Sequence, residues 1–259
     1  MHIPVLSSRF LCVLGISLLA LFVSGPVHAE SQVLTWQLFY GEKSVGSREA
    51  KVLYLPSDTG EVRLLQAFTQ LAVPMGAGQY KYVQRLGGRF GGARSFASSI
   101  EDNALVREVQ GYLSEQGEWI VTVVEKGHAK TWSLPGDAID MTSAEMLDPE
   151  RAPRTLQSLT TLRVLATETG NVLTGPVEDL GIQERTIANQ TVNVHRFKWS
   201  PAGGEMMMGY DDAGFLVEYE ITVAGKRVRA RLQVLPAART FGGALDGPLT
   251  GVQVQEETL

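Results

Sequence analysis

The side chains able to do chemistry are few. Beyond residue 30 the chain has two histidines, His128 beside a turn and His195 within the alternating run VNVHRFKWS. An imidazole is the usual general base near neutral pH. A hydrolase built on His195 would need a nucleophile presented to it. Serines are plentiful, but no G-x-S-x-G turn displays one. His195 therefore reads first as a structural or pocket-lining residue, and an envelope hydrolase is the weakest of the functional readings.

Met206-Met207-Met208 is the oddest run. Thioethers bind soft copper(I), yet on a strand Met206 and Met208 face one way and Met207 the other. Counting back across the Pro201–Gly204 turn places Met207 near Phe197, with His195 one pleat further. A shape-adaptable apolar lining suits such a run better than a metal site. No H-E-x-x-H, EF-hand or comparable ligand spacing occurs, so no metal or cofactor is implied. The glycine-rich stretch 87–92, flanked by Arg85, Arg89 and Arg94, matches neither phosphate-binding fingerprint. It reads as a flexible hairpin tip, with contact to an anionic headgroup or glycan as the minor alternative. Asp211 and Asp212 read as a hairpin turn, and so does Asn189-Gln190-Thr191.

The elements that must position these residues begin after a leader. Arg9 supplies a short positive region, and Phe10 to Val23 is an apolar run of 14 residues. Ser24-Gly25-Pro26 breaks it, and Val27-His28-Ala29 has the form of a cleavage site. The run falls short of the roughly 20 residues of a spanning helix. The expectation is a signal peptide over 1–29, removed on export to a bacterial periplasm, and no transmembrane segment in the mature chain. Cys12, the only cysteine, leaves with it, so neither disulfide nor thiol chemistry is expected. Without Arg9 the balance is 22 basic against 28 acidic residues. That acidic balance argues against nucleic-acid binding.

From residue 30 the dominant signal is period two. Leu34, Trp36, Leu38 and Tyr40 share a face, and Gly41 to Ser44 turns the chain into a second strand. Further strands continue through residue 135, punctuated by Gly117 and Gly127. Around residues 140–159 the alternation stops. Thr142-Ser143-Ala144-Glu145 has the form of a capping box, and Pro149 and Pro153 limit the length of any helix there. This predicts one or two short helices, with Leu156 and Leu159 facing inward. Strands then resume and close in three successive hairpins. The expected fold is mainly β: an antiparallel sheet covered on one side and built of meander hairpins, one domain over 30–238, with a loosely ordered tail over 239–259.

The order of signals resembles a family of uncharacterised bacterial periplasmic proteins known as domains of unknown function. The resemblance rests on YGEKSVG, KTWSLP, LGIQERTIANQTVNVHRF and YDDAGFLVEYEI, with Tyr210 standing where tryptophan often precedes the aspartate. It spans most of the chain beyond the leader. It implies a strongly curved antiparallel sheet or half-open barrel similar to the periplasmic lipoprotein carriers, with one or two short helices against the concave side and a hydrophobic cavity. It carries over no catalytic residue.

The leading functional expectation is a non-enzymatic carrier, its partner a hydrophobic small molecule, lipid, acyl chain or lipidated peptide. Aromatic and soft side chains are the candidate lining: Trp36, Phe68, Tyr82, Trp119, Trp132, His195, Phe197, Trp199, Met207 and Tyr219. The alternative is a structural or interaction protein of the envelope that recruits another protein through a sheet edge or groove.

Overall fold

The computed structural model describes residues 30–57, 60–76, 78–91, 94–103, 105–223 and 225–236. The leader and Cys12, and the tail expected over 239–259, lie outside the described residues. The first half is a run of eight strands, β1 (Glu30–Tyr40), β2 (Lys43–Ser57), β3 (Gly60–Met75), β4 (Gly78–Phe90), β5 (Ser95–Asp102), β6 (Leu105–Leu113), β7 (Glu118–Glu125) and β8 (His128–Pro135). The second half comprises β9 (Met141–Thr142), β10 (Thr161–Leu165), β11 (Val172–Ile187), β12 (Gln190–Trp199), β13 (Met206–Asp211), β14 (Leu216–Val223) and β15 (Lys226–Leu232). All belong to one sheet, ordered 8-7-6-5-4-3-2-1-15-14-13-12-11-10-9. Neighbours are antiparallel throughout, except the short parallel pair β9–β10.

This order explains the curvature. The two outermost strands, β8 and β9, are consecutive in the chain, with only residues 136–140 between them. At about 3.3–3.6 Å per residue such a link spans roughly 20 Å, so the sheet must roll until its edges approach each other. Twist and local irregularities allow it to do so. Register shifts fall at Leu38/Phe39, Asp179/Gly181 and Gly209/Tyr210, where bulges bend a strand. The result is a curled sheet not closed into a barrel, the half-open barrel that the resemblance implied.

The alternating pattern sets the faces. In β1, Leu34, Trp36 and Leu38 are buried on the concave side. The Trp36 indole N–H donates to the Leu216 carbonyl at 2.9 Å, which ties β1 to the start of β14 over the intervening β15. The three C-terminal hairpins form as the alternation requires. At the tip joining β11 to β12, Ala188 and Asn189 take positive φ, the backbone of a tight two-residue hairpin.

Inside the curl lies a plug, residues 136–160. It holds two short 3₁₀ turns, Gly136–Ala138 and Ala144–Leu147, and one helix, α1 (Ala152–Ser158). The capping-box reciprocity is present: the Glu145 N–H donates to Thr142 Oγ1 at 3.2 Å, and the Thr142 N–H donates to Glu145 Oε2 at 2.7 Å. It caps a single 3₁₀ turn, because Pro149 comes too soon for a longer helix. Leu156 is buried and Leu159 packs against the core, as expected.

The glycine stretch is a correction. Gly87, Gly88 and Arg89 are no flexible tip but the last part of β4, paired with both β3 and β5. Small residues suit the crowded concave side there, since a side chain on Gly88 would meet the Phe90 ring. Arg94 is likewise turned inward, onto Glu145 of the plug at 2.7 Å.

Candidate functional site

Between the curled sheet and the plug is a cavity of about 420 Å³. This lies within the usual range of small-molecule sites, about 300–1,000 Å³. Its apolar wall includes Leu38, Leu71, Leu147, Val164, Leu173 and Met206. These come from six different elements far apart in sequence, so rolling the sheet is what creates the space. Strand alternation delivers them: Thr69 and Leu71 of β3, and Tyr80, Tyr82 and Gln84 of β4, are same-face neighbours.

A polar strip crosses this wall. Gln84 Nε2 donates to Ser98 Oγ at 3.1 Å and to Glu168 Oε1 at 3.3 Å. Ser143 Oγ donates to Glu168 Oε2 at 3.1 Å. Both Glu168 oxygens are thus occupied by neutral donors. Arg48, on β2, faces the same space. Its guanidinium lies 5.7 Å from the centre of the Tyr219 ring and 6.0 Å from that of Trp36. Burial works against the Arg48 charge, but Tyr219, Glu168 and Tyr82 outweigh it and hold the group above its ordinary pKa. Burial, reinforced by Glu168 and opposed by Arg48, pushes the Tyr82 hydroxyl well above the usual phenol range. Tyr82 therefore stays protonated and keeps a hydrogen to donate.

Of the ten residues singled out in the sequence, Tyr82, Trp199 and Tyr219 line this cavity. Trp36, Trp119 and Phe197 are fully packed in the core. Trp119 lies against Phe96 at 5.9 Å and under the Arg94 guanidinium at 5.1 Å. Trp132 packs beside Gly170, away from the cavity. Phe68 alternates with Thr69 and so falls on the other face, under Arg85.

Met207 also faces away, and Met206 takes the place expected of it. The register pairs Met207 with Lys198 and Met208 with Phe197. The turn count is one residue off, and such a slip exchanges the two faces of a strand. Met207 instead borders a second groove of about 410 Å³ on the opposite face, among Arg185, Arg196 and Glu218. There Arg196 and Arg185 reach Glu218 at 3.1 and 3.8 Å.

His195 is fixed at both ring nitrogens. Nε2 meets Asp179 Oδ1 at 2.7 Å and Nδ1 meets Gln157 Nε2 at 3.1 Å. The ring stacks on Phe197 with centroids 4.4 Å apart. Partial burial acts to raise the Asp179 carboxyl, but the Gly181 N–H and His195 together hold it below its usual value. With Nε2 donating to the carboxylate and Nδ1 accepting from the amide, neither nitrogen is left for a substrate proton. Among the described residues, no group of three or more His, Asp or Glu side chains is placed to hold a metal ion.

The sequence reading missed Arg48, Gln84, Ser143 and Glu168. For Arg48 a signal existed: Ala50, Val52 and Tyr54 are the buried face of β2, and the same alternation continues onto residue 48.

The fold has a solved counterpart. A β-barrel-like protein of Domain of Unknown Function DUF1849 from Brucella abortus superimposes with a TM-score of 0.54 at 13% identity. The match covers 82% of this chain and 98% of that one. At such low identity it speaks for the barrel-like fold alone. An AttH candidate from Nitrosomonas europaea aligns over 79% of this chain and 92% of its own, but at 8% identity and a TM-score of 0.20. That likeness carries no weight for the fold. No protein-family model matches the chain, and no curated protein matches it in sequence.

Proposed function

We propose that this protein binds a hydrophobic ligand, such as a lipid, an acyl chain or a lipidated peptide, between its curled sheet and its plug. The observation that carries the reading is the cavity of about 420 Å³ with its largely apolar wall. Each Å² of apolar ligand surface removed from water contributes about 25 cal/mol, so an acyl chain would be held without an elaborate polar site. The leader-like sequence of residues 1–29 supports placing this activity in the periplasm, where water-insoluble molecules need carriers between membranes. With both His195 nitrogens engaged, a binding protein suits the arrangement better than a hydrolase.

Strand β8 favours a second reading. It is a sheet edge with most of its residues exposed, and an edge can recruit an extended segment of a partner protein.

Purification without detergent, followed by denaturing extraction and mass spectrometry, tests the first reading. A near-stoichiometric lipid is expected, and the stripped protein should take up the fluorescent probe N-phenyl-1-naphthylamine. A protein that carries no lipid and leaves the probe dark would overturn the carrier reading.

A further inference from the structure

Arginines that point into this molecule are paired. Arg63 meets Asp148 at 2.8 Å, Arg94 meets Glu145 at 2.7 Å and Arg107 meets Glu125 at 2.6 Å. Arg48 is different. Among the described residues no carboxylate lies within ion-pair distance of it; its side-chain hydrogen bond goes to Tyr219, and its Nε is buried without a partner. Glu168 is near enough to act on its charge, but Ser143 and Gln84 occupy the Glu168 oxygens. A cation held out of water without a counter-charge is costly to the fold. The cost is relieved when an anion arrives.

A second, independent atom points the same way. Trp199 is 4% exposed and lines the same cavity, and its indole N–H is also buried without a partner. An indole can only donate. Two residues that each carry an unsatisfied N–H, Arg48 and Trp199, therefore border one cavity, and the Tyr82 hydroxyl, kept protonated, adds a third donor to its wall. The complement of such a set is a group rich in acceptors and carrying negative charge. The rest of the wall is apolar.

We infer that the ligand is a single-chain amphiphile with an acidic head, a carboxylate or a phosphate monoester. Arg48 anchors that head, and the tail lies along Leu71, Leu147, Leu173 and Met206. This deepens the carrier reading and rests on it. Charge-assisted hydrogen bonds from a guanidinium are about twice as strong as neutral ones, so the head decides between ligands with equal tails.

The test compares three probes with the same sixteen-carbon chain, palmitate, hexadecyl phosphate and hexadecanol, by displacement of N-phenyl-1-naphthylamine from the stripped protein. At least one acid should bind about tenfold more tightly than the alcohol, and whichever acid leads identifies the head. Arg48→Met, which removes the charge while keeping an apolar stem, should bring that acid down to the affinity the same variant shows for hexadecanol. Arg48→Lys should recover part of the difference. Acids and alcohol binding equally well to the unaltered protein would overturn the inference with the carrier reading intact, and this comparison needs no variant to fold. So would an Arg48→Met protein that still prefers the acid. If none of the three displaces the probe, and the probe itself does not bind, the carrier reading falls.

Discussion

Arg94 and Glu145 meet through two parallel hydrogen bonds, Nε to Oε1 at 3.0 Å and Nη2 to Oε2 at 2.7 Å. The pair joins the connection after β4 to the 3₁₀ turn of the plug. Glu145 has only 1% of its side chain exposed, and Arg151 reaches it as well, at 3.4 Å. The carboxylate also holds the Thr142 N–H, so one buried charge organises the turn and fastens it to the wall.

Arg94→Ala should therefore be strongly destabilising. Breaking a buried pair leaves its partner charged and uncompensated, at a cost of about 3–5 kcal/mol. Arg151 and the Thr142 N–H remain, so the lower end applies. Arg94→Met combined with Glu145→Gln should cost less than Arg94→Ala alone, because no orphan charge is left behind. Urea denaturation of the unaltered protein and both variants checks this. An Arg94→Ala protein as stable as the unaltered one would mean that the plug is not held by this pair.

Met206 and Met207 offer a direct test of which face of β13 meets ligand. Met206 borders the cavity and Met207 the opposite groove. Replacing Met206 with tryptophan should crowd out about 60 Å² of ligand contact, worth about 1.5 kcal/mol at 25 cal/mol per Å², or roughly tenfold in affinity. Met207→Trp should leave probe binding within about twofold. Equal losses at both positions would argue against the register and for a general effect on folding.

That contrast also shows where the sequence was legible. Period-two alternation gave the strands, the concave face of β1, the three closing hairpins and the interruption that becomes the plug. The Thr142–Glu145 reciprocity was visible as four letters, because capping is local. What local pattern does not encode is which distant strands meet. The pairing of β1 with β15 places Trp36 opposite Leu232, and neither residue's neighbours announce it. The cavity depends on that long-range closure, so only three of ten aromatic and soft candidates proved to line it. Aromatic residues fill cores at least as readily as they line sites. The Gly87–Gly88 stretch misled for a related reason. Glycine marks a turn when flanked by polar residues, but also marks a strand crowded by a neighbouring ring.

Gly214 sits at the tip joining β13 to β14, with φ of +86°, and a Cβ there would run into the carbonyl of Pro149. The hairpin is thus pressed onto the plug. Gly214→Ala should lose about 1–3 kcal/mol from backbone strain, with a further loss from that clash. Gly203 also has positive φ, +94°, but faces open space. Gly203→Ala should therefore show the backbone cost alone. The difference between the two variants in urea denaturation measures the contact. Identical losses would mean that the hairpin and plug are not in contact in solution.

Asp140 gives the pH dependence a sign. Partial burial acts to raise its carboxyl, but the Arg163 side chain and backbone N–H, with Arg151 behind them, bring it below its usual value. The contacts are short, 2.7 Å from the Arg163 N–H to Oδ2 and 2.7 Å from Arg163 Nη2 to Oδ1. A carboxyl with a lowered folded-state pKa contributes stability that is fully present above the unfolded value, about 3.9, and is lost as pH falls through the folded one. Asp148 runs the other way. Burial, with Glu145 nearby, raises it despite Arg63 and two backbone N–H groups. In the interval above its ordinary value the folded state binds the extra proton, so Asp148 makes the protein more stable as pH falls there. The two contributions separate in variants. Asp140→Asn should lower the urea midpoint at pH 7 and converge on the unaltered protein as pH falls through the lowered folded-state value. Asp148→Asn should compare progressively worse with the unaltered protein as pH falls through mild acid, where the native carboxyl takes up its proton, and level off below the ordinary value. An Asp140→Asn deficit that is the same at pH 7 and at pH 2 would assign the loss to altered packing of the β9–β10 edge, not to the charge.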